Sequence, residues 1–304
     1  MNKSDVLALN REYGIPDQVT FLEGSGGLAR IDVANARATA SIVLQGAHLV
    51  SWTPHGELPV IWLSSSARFV PGKPIRGGVP ICWPWFGPHS SDASFPAHGF
   101  ARVAQWKVIA TQALADGATR LVFSLLQNDA TRAYWPHATE LELHISVGTA
   151  LEFVLLTRNT DSKPVTVGDA LHTYFQVGDV RGIVISGLDG CSYVDKVDQG
   201  KRKRQMGPLT IDAETDRIYL ESIRDCLIDD PGLRRRLRIS KRGSRSMIVW
   251  NPWVEKARKM GDLGEDGYLT MICVESANAA DDTVTIAPGE EHRLWVRYQV
   301  EPMS

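Results

Sequence analysis

The chain has 304 residues, 43% of them hydrophobic and 22% charged, with a formal net charge of −2. That supplies enough apolar material for a large core, at a length that all-β sandwiches and barrels often reach as one domain. The balanced charge excludes a protein whose main work is to hold nucleic acid, which would carry a basic surplus.

The first segment, residues 3–13, fits a short helix capped by Ser4. The N-terminus "MNKSDVLALNREYG" has no apolar core of a secretory signal, and no apolar run approaches the length that spans a membrane. A cytoplasmic protein is expected. The four cysteines, Cys82, Cys191, Cys226 and Cys273, are far apart, with no C-x-x-C pair and no zinc-ligand spacing.

From residue 29 onward, short alternating segments follow one another: "ARIDVAN", "ARATASIVLQ", "QWKVIATQAL", "TRLVFSLLQ", "TELELHISVG" and "ALEFVLLTRNT". Each is broken by Gly, Pro, Asn or Asp. Alternation with regular turn signals predicts strands of an all-β sandwich or barrel. Neither a low-complexity linker nor a clear repeat interrupts the pattern, so residues 1–304 are expected to form one β domain. The nine tryptophans fit core filling better than a ligand-stacking role.

Residues 73–90, "KPIRGGVPICWPWFGPHS", break the pattern with prolines, glycines and aromatics at a density that fixes a long loop. Arg76 precedes a glycine pair, where backbone or ligand can approach closely. Its guanidinium fork suits a phosphate or carboxylate. Residues 95–102, "FPAHGFAR", are expected to be extended, which would put His98, Phe100 and Arg102 on one strand face. In "DALHTYFQVGD" (169–179), His172, Tyr174 and Gln176 share one face, and Leu171, Thr173 and Phe175 share the other.

The basic run "GKRKRQ" (200–205) follows a glycine and is expected to be a solvated loop. The surrounding polar stretch, 196–212, is a candidate moving loop. Asp216 in "TDRIYLE" (215–221) sits where a turn would precede a strand. In "RRRLRISKRGSR" (234–245), Leu237 and Ile239 alternate with basic residues, giving a half-buried strand with a wet basic face. "WVEKARKM" (253–260) is the second helical candidate. In "YLTMICVESAN" (268–278), Glu275 ends an apolar run. A carboxylate there has either reached solvent at a strand end or is paired or functional, because burying it alone is costly. The tail "DTVTIAPGEEHRLWVRYQV" reads as two alternating strands around a turn.

Taken together, "GAHLVSW", "PIRGGVPICWPWFGPH", "HGFAR", "LHTYFQVGD", "GLDGCSYVDK", "TDRIY", "VWNPWVEKARKMGDLGEDGY" and "CVESAN", in this order, resemble the aldose 1-epimerase superfamily. Within it the match is to the hexose-6-phosphate mutarotase branch. The resemblance covers most of the chain. It implies a large antiparallel β-sandwich, a catalytic glutamate at Glu275, a catalytic histidine at His172 and a supporting histidine at His98. It also implies a sugar-binding aspartate at Asp216 and phosphate-binding arginines at Arg76 and Arg102. One position departs from the branch: Ala97 stands where a ligand-touching glutamine precedes the "HGFAR" histidine.

Anomer exchange needs one base, one acid and a positioned sugar. The resemblance therefore implies an isomerase, glucose-6-phosphate 1-epimerase, with no cofactor and no metal. It implies a small phosphosugar as partner, neither nucleic acid nor membrane, and a monomer. Two alternatives fit the same residues: a non-catalytic carbohydrate-binding β-sandwich, and a glycoside hydrolase using Glu275 and Asp216 as its carboxylate pair.

Overall fold

The structure is a computed structural model and describes residues 3–303. Its elements are overwhelmingly antiparallel strands, as expected, in two eight-stranded sheets, one four-stranded sheet and a two-stranded ribbon. The alternation in the sequence explains the first eight-stranded sheet. In Thr139–Val147, Leu141, Leu143, Ile145 and Val147 point inward and are buried, while the residues between them face out. Its neighbours Thr119–Leu125, Ala150–Asn159, Arg235–Arg242 and Glu291–Pro302 bury one face in the same way.

The second eight-stranded sheet carries Ile81–Cys82, Asp169–Leu171, Tyr174–Gln176, Ser192–Asp195, Lys201–Arg204, Thr215–Tyr219, Ser246–Asn251 and Met271–Asn278. Leu171, Phe175, Val249, Ile272 and Val274 of this sheet share one apolar core with Leu143, Phe153, Leu294 and Val296 of the first. The two sheets therefore pack face to face as a sandwich. The strand Met271–Asn278 is buried at all eight positions. Its inner face meets the sandwich core. Its outer face meets a smaller apolar cluster with Trp62, Tyr174, Ile218 and Trp250.

Several local expectations change. Residues 3–13 are helical, but Ser4 lies inside the helix Lys3–Tyr13 instead of capping it. A helix at Asp129–Tyr134 was not anticipated. It starts with a capping box in which the Asn128 side chain accepts from the Thr131 amide and Thr131 Oγ1 accepts from the Asn128 amide. The basic run is not a loop: Lys201–Arg204 is a strand paired with Ser192–Asp195, with Lys203 held by Asp195 and Asp198. Those bonds also remove the core of 196–212 as a moving loop. The strand Arg235–Arg242 is half-buried as expected. Its outward Arg236 and Arg238 are not a free basic face, because Asp229, Asp225 and Glu301 pair with them.

The tryptophans mainly fill core, with Trp52, Trp83 and Trp106 fully buried. All four cysteines are free. Among the described residues, no helix is long and apolar enough to cross a membrane.

Candidate active site

All six residues singled out from the sequence, Arg76, His98, Arg102, His172, Asp216 and Glu275, line one cavity of about 650 Å³. The cavity lies on the outer face of the second sheet.

Strand pairing makes its floor. Tyr174 pairs with Cys273 across antiparallel strands, and following that register two residues back sets His172 opposite Glu275. The His172 amide bonds to the Pro80 carbonyl at 3.0 Å, which seats it on the 73–90 loop. His172 Nε2 lies 3.5 Å from Glu275 Oε1. Glu275 is only 1% exposed, so this carboxylate has not reached solvent at a strand end. Among the described residues its Oε2 has no hydrogen-bond partner, and neither does His172 Nδ1.

Burial dominates the electrostatics of this pair. It pushes the Glu275 carboxyl well above the usual carboxylate range, with the Asp216 charge adding to it. It pushes His172 well below the usual imidazole range, helped by His98, Arg102 and Arg76. The pair is therefore a neutral acid beside a neutral imidazole, and one proton can pass between them.

"FPAHGFAR" is not a strand. His98 and Gly99 both take positive φ, 66° and 68°, and Ala101–Val103 is a single 3-10 turn. A side chain at Gly99 would strike the Trp83 carbonyl oxygen at 1.9 Å, so this close approach requires glycine. The shared strand face expected for His98, Phe100 and Arg102 does not exist. The chain turns tightly instead, burying Phe100 while His98 and Arg102 still reach the cavity. The His98 amide donates to the Gly87 carbonyl at 2.7 Å, and the Gly87 amide faces His98 Nδ1 at 3.4 Å. That second contact leaves the ring proton on Nε2. Burial and the nearby Arg102, Arg76 and Lys196 push His98 down to about 3, so it is a neutral donor.

Arg76 is not a loose surface cation. Its Nε donates to Asp262 Oδ1 and its Nη1 to Tyr174 Oη, both at 3.1 Å. The glycine pair after it serves backbone packing: a side chain at Gly78 would meet the Leu49 carbonyl at 2.4 Å and the His48 ring at 2.5 Å. Arg102 donates to the Ala97 carbonyl at 2.8 Å and has no carboxylate partner among the described residues. Ala97 itself is exposed and does not line the cavity.

Asp216 lies within the strand Thr215–Tyr219, not in a turn before it. Its carboxyl is raised by burial, against the opposing pull of Lys256 and Lys196. Lys256 Nζ sits 2.8 Å from Glu214 and 3.9 Å from Asp216.

Four cavity features went unassigned in the sequence. Lys196 and Lys256 add positive charge to the wall, and Trp250 adds an apolar face. The Tyr174 ring stacks between His172 and Trp62. Lys196 and Lys256 lie inside the stretches "GLDGCSYVDK" and "VWNPWVEKARKMGDLGEDGY" that carried the resemblance. The shared face of His172 and Tyr174 in a strand was the one local signal for the stack.

The three residues His172, Cys273 and Glu275 place a nitrogen, a sulfur and an oxygen within 4.8 Å of one another.

A sequence model of the aldose 1-epimerase family matches residues 29–299. A protein of Escherichia coli (strain K12) named "Putative glucose-6-phosphate 1-epimerase" is 41% identical over 253 residues, 83% of either chain. The crystal structure of a "putative mutarotase" from Salmonella typhimurium superposes with a TM-score of 0.89 at 35% identity, over 96% of both chains. A galactose mutarotase related enzyme from Lactobacillus acidophilus shares the fold with a TM-score of 0.72 at 14% identity, over 90% of this chain and 97% of its own. With most of its length matched by one family and its six expected site residues gathered in one cavity, the chain belongs to the aldose 1-epimerase family.

Proposed function

We propose that the protein interconverts the α and β anomers of a hexose 6-phosphate, with glucose 6-phosphate as the first substrate to test. The observation that carries this is the buried His172–Glu275 pair, 3.5 Å apart, on the floor of a cavity whose wall presents Arg76, Arg102, Lys196 and Lys256. The names of the relatives support the same substrate.

The chemistry follows from the groups present. The proton shared by the pair first passes from Glu275 to His172 Nε2, 3.5 Å away, and the Glu275 carboxylate so formed takes the proton of the C1 hydroxyl. The C1–ring oxygen bond breaks, its electron pair stays on the ring oxygen, and C1 becomes an aldehyde carbon. His172 gives the ring oxygen its proton. C1 then turns about the C1–C2 bond, and the same two groups reverse their roles as the ring closes on the other face. The pair ends each cycle with the one proton it began with, so no net charge builds up on these buried groups.

A positioned acid or base typically contributes about 10²–10⁴-fold. Two such groups suffice for a reaction that already proceeds in water. His98, neutral with its proton on Nε2, donates to a sugar oxygen near C1, and Asp216 accepts from sugar hydroxyls. Arg76 and Arg102 hold the phosphate through charge-assisted bonds. Asp262 and Tyr174 fix the Arg76 fork before the sugar arrives.

Magnetisation-exchange NMR on glucose 6-phosphate tests the reading. Added protein is expected to accelerate α/β exchange at catalytic concentration. Unchanged exchange, for this sugar and for mannose and galactose 6-phosphates, would overturn it.

A further inference from the structure

We propose that His172, Cys273 and Glu275 form a three-donor site for a thiophilic divalent cation of the zinc class, and that its occupancy shuts off the proton-transfer pair. The inhibitory half of this inference rests on the proposed function; the binding half does not.

The site is built by the sheet. Cys273 and Glu275 are two apart on one strand and so share a face. His172 faces them from the break between the strands Asp169–Leu171 and Tyr174–Gln176, both of which pair with Met271–Asn278 in one register. One donor atom of each residue lies within 4.8 Å of the other two. Three atoms at that limit leave a central point about 2.8 Å from each, and a contraction of roughly half an ångström brings it to zinc bond lengths.

The donor set selects the ion. An imidazole nitrogen, a thiolate and a carboxylate oxygen suit zinc and its neighbours, whereas magnesium and calcium prefer oxygen alone. Glu275 Oε2 and His172 Nδ1 have no partner, so the donors have bonding capacity to spare. Both residues line the cavity while Cys273 lies buried beneath them, so the fourth position of a tetrahedral ion points into the cavity.

Charge balances as well. The ion brings two positive charges, and the Cys273 thiol and Glu275 carboxyl each release one proton, so the filled site is neutral. Arg102 and Arg76 line the same cavity and oppose a further cation there, which weakens the binding. An ion bound here occupies the carboxylate oxygen and imidazole lone pair that the proton transfers use. Its open position coincides with the place of the sugar oxygens, so inhibition is competitive.

Cobalt(II) titration of the full-length protein tests this, because a thiolate ligand gives cobalt a near-ultraviolet charge-transfer band. We expect the band to saturate at one ion per chain, to be removed by zinc, and to need more cobalt when glucose 6-phosphate is present. Cys273→Ala should abolish the band and weaken zinc binding by at least about 10-fold, the lower bound even for outer-shell changes. Cys191→Ala, altering a half-buried thiol elsewhere, should keep it. Glu275→Gln, which preserves side-chain shape, should keep the band but weaken the metal by a similar factor and serves if Cys273→Ala does not fold. In anomer exchange, zinc should raise KM for glucose 6-phosphate and leave kcat unchanged. Absence of the band in the wild type, its survival in Cys273→Ala, or non-competitive zinc inhibition would overturn the proposal. A wild type without any anomer exchange would refute the epimerase reading alone, since the cobalt band still reports the site.

Discussion

The Tyr174 ring lies 5.0 Å from the His172 ring at an interplanar angle of 15°, and its hydroxyl accepts a 3.1 Å bond from Arg76. A general acid is commonly oriented by a hydrogen bond to its second ring nitrogen. His172 Nδ1 has no such partner, so stacking on Tyr174 sets its plane. The same tyrosine ties that plane to the guanidinium proposed to hold the phosphate. Tyr174→Phe keeps the ring and frees Arg76. It should raise KM for glucose 6-phosphate about 10-fold, as loss of a hydrogen bond to a charged group does, with a much smaller change in kcat. Tyr174→Leu removes the stack and should lower kcat about 10-fold. Steady-state kinetics separate the two, and an unchanged kcat in the leucine variant would show that Tyr174 does not position His172.

Glu275→Gln removes the proposed base while preserving side-chain volume. Exchange should fall by about 10²–10⁴-fold, while glucose 6-phosphate still binds, as measured by calorimetry. The variant should be at least as stable as wild type, because a buried carboxyl with an unpartnered oxygen is replaced by a neutral amide.

Arg76→Ala and Arg102→Ala should each raise KM for the phosphosugar far more than for free glucose. Asp262→Asn should give a weaker version of the Arg76 effect, because it loosens one of the two bonds that fix the guanidinium. Equal effects on both sugars would place the phosphate elsewhere.

Asp169 is wholly buried three residues before His172, and among the described residues the Asn278 backbone gives its carboxylate only weak support. Burial pushes it up to about 7 from 3.8. A folded-state value above the unfolded one means the folded chain binds the proton more tightly. Its contribution to stability is therefore complete below about pH 4 and is lost as pH rises toward 7. Asp169→Asn should stabilise the protein near pH 8, by at most roughly 4 kcal/mol at about 1.4 kcal/mol per decade of affinity. The gain should shrink steadily toward pH 4. Urea unfolding at pH 5 and pH 8 measures it, and a gain independent of pH would rule out titration of Asp169 as its cause.

Much of the fold was legible because period-two alternation in segments such as Thr139–Val147 is imposed directly by one wet and one dry sheet face. The pattern fades in Met271–Asn278, where both faces are buried. There Glu275 is embedded in apolar neighbours, and no periodicity tells a strand end from an active-site floor. The basic run at 201–204 misled for the opposite reason. An edge strand with charges on both faces carries no alternation, and its pairing with Ser192–Asp195 is a long-range fact.

The amino-acid sequence by itself determined the strand-rich class and the family, and singled out six residues that line one cavity, because motif chemistry and alternation are written in local order. Tertiary structure alone decided how those residues act together. The turn at His98 and Gly99, not a strand, delivers His98 and Arg102 to the cavity, since positive φ at both residues and the Trp83 carbonyl leave no room for an extended chain. Cross-strand register puts His172 against Glu275, and burial holds that pair neutral. Packing between distant segments turns Tyr174 and Asp262 into supports for Arg76. Such contacts join residues about a hundred or more positions apart, and no local pattern can carry them.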